Sequence, residues 1–413
     1  MPKQNKRLKR KLDNIENDIV IFKKQKKNED DVGTSIKEQL MLAPIDMETK
    51  IFLLDKYDNL KKSNNCDKTA WFKTVLNIPF GKYIPFKVNH NDAPVKINDY
   101  FDKIRLHLDK KIHNMDNVKN EIMEFIARKI SNPDSKGHVL ALCGPPGTAK
   151  TKIIKTLGEA LELPFHQVNF GGLNDVAVLT GHSETYISSK PGKFVEMLSS
   201  ARCMNPIFYF DEIDKVSQNK NREINGILTH VLDEEQNNRF QDNYLSNVPI
   251  DMSKVFFILS FNDPEKIDPI VLNRMKIIYI DALSKDDKVV IAATKMIPDI
   301  IESLNIKKDK YINLNEELLK YIVYNKVPNE DGVRQLRKCL EKIFNKINYL
   351  ILTGKYKKEP IGLTITNETI NELNDTVSLL NIGKSEVVNI TKTFIDNCLE
   401  SNEETHLYIS MYT

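Results

Sequence analysis

Leu140-Ala-Leu-Cys-Gly-Pro-Pro-Gly-Thr-Ala-Lys-Thr151 decides the reading of this chain. The apolar run from His138 to Cys143 reads as a buried strand. It breaks into Gly144, Pro145, Pro146 and Gly147, continues through Thr148 and Ala149, and meets a helical pattern from Lys150 to Leu161. Strand, glycine loop, Lys-Thr and helix is the context of a phosphate-binding loop. Backbone N–H groups of such a loop and the start of the helix point at an anion. Lys150 is then placed to reach β and γ phosphates, and Thr151 to put a hydroxyl on Mg²⁺. Ala149 stands where the common form of the motif has glycine. Alanine fits there if the position is already helical.

The 413 residues suffice for two or three domains, and 41% apolar content allows a sizeable core. The net charge of +3 says little about partners, but residues 1–27 hold ten Lys/Arg against three acids. Residues 1–35 are polar and highly charged, so a disordered basic tail is expected. Its clusters Lys6-Arg-Leu-Lys-Arg-Lys11 and Lys23-Lys-Gln-Lys-Lys27 fit a nuclear address, a nucleic-acid contact or a solubilising tail. The five cysteines are scattered without metal-ligand spacing, which argues for a reducing compartment, cytoplasmic or nuclear. No run approaches the length of a membrane span, and no N-terminal apolar core resembles a secretory signal, so no membrane partner is expected.

Residues 36–96 read as a helical segment, helical to Ile78, and a proline-bearing linker over 84–96. Helices follow at about Ile97–Leu108 and from near Met115, where Val118, Ile122, Phe125, Ile126 and Ile130 recur at helical spacing. Further apolar runs at Pro164–Val168, Ile207–Phe210, Val255–Phe261 and Ile277–Ile280 read as strands alternating with helices. The expected fold is α/β, with a mostly parallel five-stranded sheet over about 97–283. Asp211 and Glu212 end one strand about sixty residues after the phosphate loop. Asp211 would hold the water shell of Mg²⁺, and Glu212 would polarise an attacking water as general base. Asn262 ends another strand, where it could orient that water. In open parallel sheets, ligands sit at the carboxyl ends of strands, and all of these residues lie there.

From Ser284 the pattern turns all-helical. Ser284-Lys-Asp-Asp287 resembles a capping box. Helices are expected at about 285–304, 315–325 and 332–352, the last with Val333, Leu336, Leu340, Ile343, Ile347 and Leu350 on one face. This is a small helical lid over 284–352. Residues 353–413 form an extension of unknown role, with a short strand near Gly362–Thr366 and a helix near 367–380.

Between about Trp71 and Leu352 the chain resembles the AAA+ ATPase module of the Lon proteases. The segments that carry the resemblance are Ile78-Pro-Phe-Gly-Lys82, the phosphate loop, Gly171-Gly172, Gly181-His182 with Thr185-Tyr186, and Asp211-Glu-Ile-Asp-Lys215. Beyond them come Val231-Leu-Asp-Glu-Glu-Gln-Asn237 with Phe240, Asp242 and Tyr244, then Asn273-Arg-Met275 and Gly332-Val-Arg334. The resemblance implies ATP and Mg²⁺ as cofactors and a homo-hexameric ring. It implies that Arg274 is an arginine finger acting on the neighbouring subunit's nucleotide, an effect on the order of 10³–10⁵ in rate. It implies that Arg334 is the sensor-2 arginine, that Asn262 is sensor 1, and that His113, Asn114 and Met115 pack on adenine. Tyr186 and Ile187 match the aromatic–aliphatic pair of the pore loop that grips a polypeptide substrate, with Ser217 to Arg222 as the second pore loop.

The chain also departs from that family. Lon proteins carry arginines around the first pore loop and a glycine after the aromatic–aliphatic pair; here Asn174, Thr180, Ser183, Glu184 and Ser188 occupy those places. The pore loop should therefore be less positive and less flexible. The sixty or so residues after the lid are too few for the Lon proteolytic domain, so no peptidase activity is expected. Three readings compete: an ATP-driven protein remodeller, a nucleic-acid-associated AAA+ ATPase recruited by residues 1–35, and a scaffold that binds ATP and rarely turns over. The intact Lys150, Asp211, Glu212, Asn262, Arg274 and Arg334 argue against the third, and Tyr186 favours the first over the second.

Overall fold

A computed structural model describes residues 35–62, 69–133, 139–173, 175–186, 188–216, 221–305, 310–354, 363–368 and 385–400. The basic tail before residue 35 and Ile187 lie outside them, as do residues 217–220 of the second pore loop. Contacts divide the chain into two compact units. The first takes in the described residues up to Leu108, together with those of Asn117–Cys143 and Thr151–Tyr279. The second takes in Asp109–Asp116, Gly144–Lys150 and the described residues from Ile280 onward.

The described chain opens with helices α1 (Ile36–Leu42), α2 (Met47–Lys62) and α3 (Thr69–Asn77). Ser35 caps α1 in a reciprocal box with Glu38. Helix α4 (Pro94–Lys111) begins three residues earlier than the apolar pattern indicates, with Pro94 as its first residue. Proline is favoured there because the first turn leaves its N–H positions unpaired in any case. Helix α5 (Asp116–Ser131), strand β1 (Val139–Cys143), helix α6 (Lys150–Leu161) and strand β2 (Phe165–Asn169) follow. Helix α7 (Lys193–Ala201), β3 (Ile207–Asp211), α8 (Asn221–Leu232), β4 (Phe256–Phe261) and β5 (Met275–Tyr279) complete the run.

The five strands form one sheet in the order β2-β3-β4-β1-β5. Every pairing is parallel, where the sequence indicated a mostly parallel sheet. β1 and β4 are buried along their whole length, as expected of strands covered on both faces. The register sets Asn169 beside Asp211, and Cys143 beside both Phe261 and Tyr279. The chain exits from β1, β3 and β4 thus share one edge of the sheet. Leu40, Leu53, Trp71, Phe72 and Val75 belong to the same buried cluster as Phe194, Phe208, Phe210 and Phe257. Helices α1, α2 and α3 therefore contribute to the first unit's core.

The second unit contains α9 (Lys285–Ile291), a π-helical turn (Ala292–Met296), α10 (Ile297–Ser303), β6 (Lys310–Asn313), α11 (Glu316–Tyr321) and α12 (Arg334–Thr353). Pro298 lacks an N–H and would collide with the preceding turn of an ordinary α-helix; the wider π turn directly before α10 relieves that conflict. The predicted stripe on α12 is buried at Leu336, Leu340, Ile343, Ile347 and Leu350.

The second unit differs from an all-helical lid. Strand β6 pairs in parallel with β8 (Ser385–Ile390), which pairs antiparallel with β7 (Leu363–Glu368). The pairing is non-local, so periodicity within 284–352 could not show it. Ile390, together with Phe394, Ile395 and Cys398 of the last described helix, α13 (Lys392–Glu400), shares a core with α12. Of the helix expected near 367–380, residues 367 and 368 lie in β7 and the rest falls outside the described residues.

Candidate functional site

Within the second unit, Gly144 and Gly147 are glycines for physical reasons. A Cβ on Gly144 would sit 2.4 Å from the carbonyl oxygen of Ile280, and Gly147 has φ +81°. Ala149 is not helical, contrary to the expectation from sequence. It adopts φ +67°, the left-handed region that glycine enters without strain. The Lys150 ammonium is drawn onto the loop itself, donating to the carbonyls of Gly144 at 2.5 Å and Pro145 at 3.0 Å. The Thr148 hydroxyl also donates to Pro145, at 2.8 Å, which closes the turn through Pro146.

Gly332 lies directly against this loop. A Cβ on it would fall 2.4 Å from the Gly147 carbonyl carbon, and the next N–H, from Val333, donates to the Gly147 oxygen at 3.2 Å. Arg334 is the first residue of α12. Val333 offers no side-chain cap, so the Glu330 carboxylate takes that role, accepting from the N–H groups of Gln335 and Leu336. Arg334 and the phosphate loop are thereby joined through backbone.

His113, Asn114 and Met115 link α4 to α5, with Asn114 and Met115 at φ +52° and +63°. Asn114 Nδ2 donates to Asp287 Oδ1 at 2.8 Å, and His113 Nε2 lies 3.4 Å from the same oxygen. Ser284 caps α9 by accepting from the Asp287 N–H. The Asp287 carboxylate accepts the Ser284 hydroxyl and does not return to the backbone of Ser284. The box is thus half formed. That hydroxyl, then Asn114, hold the Asp287 carboxyl below its ordinary range.

Within the first unit, Asp211 ends β3 and collects four groups. Its Oδ2 accepts from Gln167 Nε2 at 3.0 Å and from the Thr151 hydroxyl at 3.3 Å. Its Oδ1 accepts from Ser260 Oγ and lies 3.1 Å from the Tyr209 hydroxyl. Tyr209 is fully buried, and its hydroxyl also meets Ser260 Oγ at 2.8 Å and Thr151 Oγ1 at 3.3 Å. Burial pushes this phenol well above its ordinary value, so it is a neutral group. The sequence reading missed Gln167, Tyr209 and Ser260. The available signal was a tyrosine inside an apolar strand two residues before Asp211, hence on the same face.

Glu212 takes φ +57°, turning sharply out of β3, and pairs with Lys215 three residues on. Gly171 leaves room for it, since a Cβ there would sit 2.8 Å from Glu212 Oε2. Asn262 follows β4, and its N–H donates to Asp214 Oδ2 at 3.1 Å. Arg274 is fixed on three sides: Nε and Nη2 donate to Asp233 Oδ2 at 3.2 and 2.9 Å, and Nη1 donates to the Ile270 carbonyl at 2.8 Å. Arg274 and Asp233 line a cavity of about 770 Å³ with Glu124, Arg128 and Lys276. Burial acts to raise the Asp233 carboxyl, but the Arg274 bond and charge, together with the N–H groups of Glu235 and Gln236, hold the group below its usual range.

Tyr186 stands on an exposed loop, 69% accessible. The ends of that loop are clamped at Asp242. Its Oδ2 accepts from the Gly192 N–H at 2.8 Å, and its Oδ1 accepts from Tyr244 at 2.9 Å and Leu245 at 3.3 Å. Gly181, at φ +79°, passes so close that a Cβ would lie 2.6 Å from Oδ1. Burial pushes the Asp242 carboxyl up to about 6. Ser188 has φ +64°, so the family's glycine position keeps a glycine-like backbone here. Glu184 pairs with Lys56 of α2 at 2.6 Å, and the Lys56 ammonium rests 3.8 Å from the centre of the Trp71 ring.

The donor set at Thr151 and Asp211 is one hydroxyl and one carboxylate, hard oxygens suited to Mg²⁺ that keeps its waters and takes nucleotide oxygens. Among the described residues, no cluster of three or more His, Cys, Asp or Glu could hold a metal by itself. No described helix is long and apolar enough to cross a membrane.

Residues 140–282 match the ATPase family associated with various cellular activities (AAA). Curated relatives include a Lon protease homolog of Acanthamoeba polyphaga mimivirus, 33% identical over 72% of this chain and 30% of that protein. The Lon protease of Clostridium acetobutylicum is 29% identical over 93% of this chain and 49% of its own length. That of Koribacter versatilis is 36% identical over 64% and 32%. The chain thus spans less than half the length of these relatives.

Proposed function

From a chain that belongs to the AAA family of ATPases and has Lon proteases as relatives, we propose an ATP-hydrolysing, ring-forming protein remodeller. The observation that carries the reading is the approach of Thr151 and Asp211, sixty residues apart in sequence, to 3.3 Å. It joins the hydroxyl after the phosphate-loop lysine to the carboxylate at the end of β3, the pair that would hold Mg²⁺ beside the nucleotide phosphates.

In this mechanism the N–H groups of the loop Gly144–Thr151 and the Lys150 ammonium bind the phosphates. Bound Mg²⁺ supplies charge neutralisation at the phosphates. Glu212 takes a proton from the attacking water, and Asn262 orients that water. Arg334 reaches the nucleotide in its own subunit and Arg274 reaches that of a neighbour, in a homo-hexamer. His113, Asn114 and Met115 pack on the adenine. Tyr186 and Ile187 grip an extended polypeptide, and the exposure of Tyr186 supports that role.

The test is the ATPase rate of the purified protein with Mg²⁺, alone, with an unfolded protein, and with single-stranded DNA. Turnover stimulated by unfolded protein and lost in Tyr186→Ala is expected. Stimulation by DNA alone would replace this reading with a nucleic-acid one. Glu212→Gln should retain ATP in an assembled ring, and rapid turnover by that variant would remove Glu212 from the base role.

A further inference from the structure

We infer that Tyr209, acting through Ser260, is a positioning residue for the magnesium-binding carboxylate of Asp211. This deepens the proposed ATPase and rests on that reading. Strand β3 alternates, so Phe208 and Phe210 face one way while Ile207, Tyr209 and Asp211 face the other. The Tyr209 ring stacks on Phe165 with centroids 5.8 Å apart, which supplies its packing without any need for a hydroxyl. A hydroxyl at such depth is destabilising unless it is bonded. This one has three oxygen neighbours, and two of them, Asp211 and Thr151, are the candidate magnesium ligands.

The protons can be assigned. Tyr209 donates to Ser260 Oγ at 2.8 Å, and Ser260 donates onward to Asp211 Oδ1. Oδ1 is thereby committed to the protein. Oδ2, which accepts from Gln167 Nε2 and from the Thr151 hydroxyl, lies on the side of the second candidate ligand and is the oxygen that would meet the cation. Partners that orient a ligating carboxylate typically change metal affinity by about 10–100-fold when removed. Neither Tyr209 nor Ser260 touches the nucleotide in this scheme, so their loss should act on Mg²⁺ and leave metal-free nucleotide binding alone.

The experiment titrates Mg²⁺ into protein mixed with a fluorescent ATP analogue and reads the binding of the analogue, without turnover. Tyr209→Phe keeps the ring and deletes the hydroxyl. The expected result is unchanged affinity in EDTA and about a tenfold rise in the Mg²⁺ concentration that tightens binding. Ser260→Ala should shift it in the same direction, and Ser260→Thr, which keeps a hydroxyl, should restore it. An unaltered Mg²⁺ titration in Tyr209→Phe, with only the melting temperature changed, would overturn the inference. If Tyr209→Phe does not fold, the Ser260→Ala and Ser260→Thr pair decides alone. Failure of the wild type to bind the analogue would instead strike the ATPase reading, so the two failures are distinguishable.

Discussion

Arg274 donates twice to a single oxygen of Asp233, from Nε at 3.2 Å and from Nη2 at 2.9 Å. A long flexible cation is thereby given one direction before any neighbour arrives. Asp233 belongs to the Leu-Asp-Glu-Glu-Gln-Asn segment, so the segment that carries the family resemblance also orients Arg274. Asp233→Asn replaces a charge-assisted bond, worth about 1.5–3 kcal/mol, with a neutral one. ATP turnover should fall on the order of tenfold with nucleotide affinity unchanged. Mixing with Lys150→Ala subunits, which retain the Arg274–Asp233 pair, should recover part of the loss if Arg274 acts as the proposed finger on a neighbour's nucleotide. Unchanged turnover in assembled Asp233→Asn rings would sever the link.

Ala149→Gly should stabilise the chain. The left-handed conformation at φ +67° is unfavourable for alanine by about 1–2 kcal/mol, and glycine loses about 0.5–1 kcal/mol more chain entropy on folding. The balance is a gain of about 0.5–1 kcal/mol, read as a higher melting temperature. A fall in melting temperature would show that the Ala149 side chain contributes packing that outweighs the strain.

Asp242 should make stability depend on pH in a recognisable sense. Its carboxyl lies near 6 in the folded chain, above the ordinary 3.8. The folded state therefore holds this proton more tightly than the unfolded one. The associated stabilisation is complete below about pH 4 and is lost as pH rises through 6. Carboxylates such as Asp287 and Asp233 act in the opposite sense, so the clean measure is a difference between proteins. The stability of wild type relative to Asp242→Asn should be greater at pH 5 than at pH 7.5 by about 1 kcal/mol. A constant difference across that range would mean Asp242 does not titrate there.

Lys56→Met should loosen the exposed loop while sparing the fold. The Lys56–Glu184 pair contributes no more than about 1 kcal/mol to stability, but it is a side-chain tie between α2 and the segment that bears Tyr186. Limited proteolysis should cut faster between His182 and Lys190, and stimulation of ATPase by unfolded protein should drop while the basal rate holds. Equal cleavage rates in both proteins would leave Glu184 without a restraining role.

Short-range physics leaves its mark on contiguous residues. The phosphate loop, helix α6, the apolar strands and the acidic pair are each read from contiguous residues, because burial imposes a period of two or 3.6 on adjacent positions. The sequence also shows that Ala149 stands where the common phosphate-loop motif has glycine, and Ser188 where Lon proteins have it. That both keep a left-handed backbone follows from the folded loops, since φ is imposed by what each loop must clear. The same holds for the partners of Asp211. Gln167, Tyr209 and Ser260 arrive from three strands, and their meeting depends on register across the sheet. The pairing of β6 with β8 joins segments more than seventy residues apart. Hydrogen bonds across such distances leave no periodic trace in either strand, so the mixed sheet of the second unit could be known only from the folded chain.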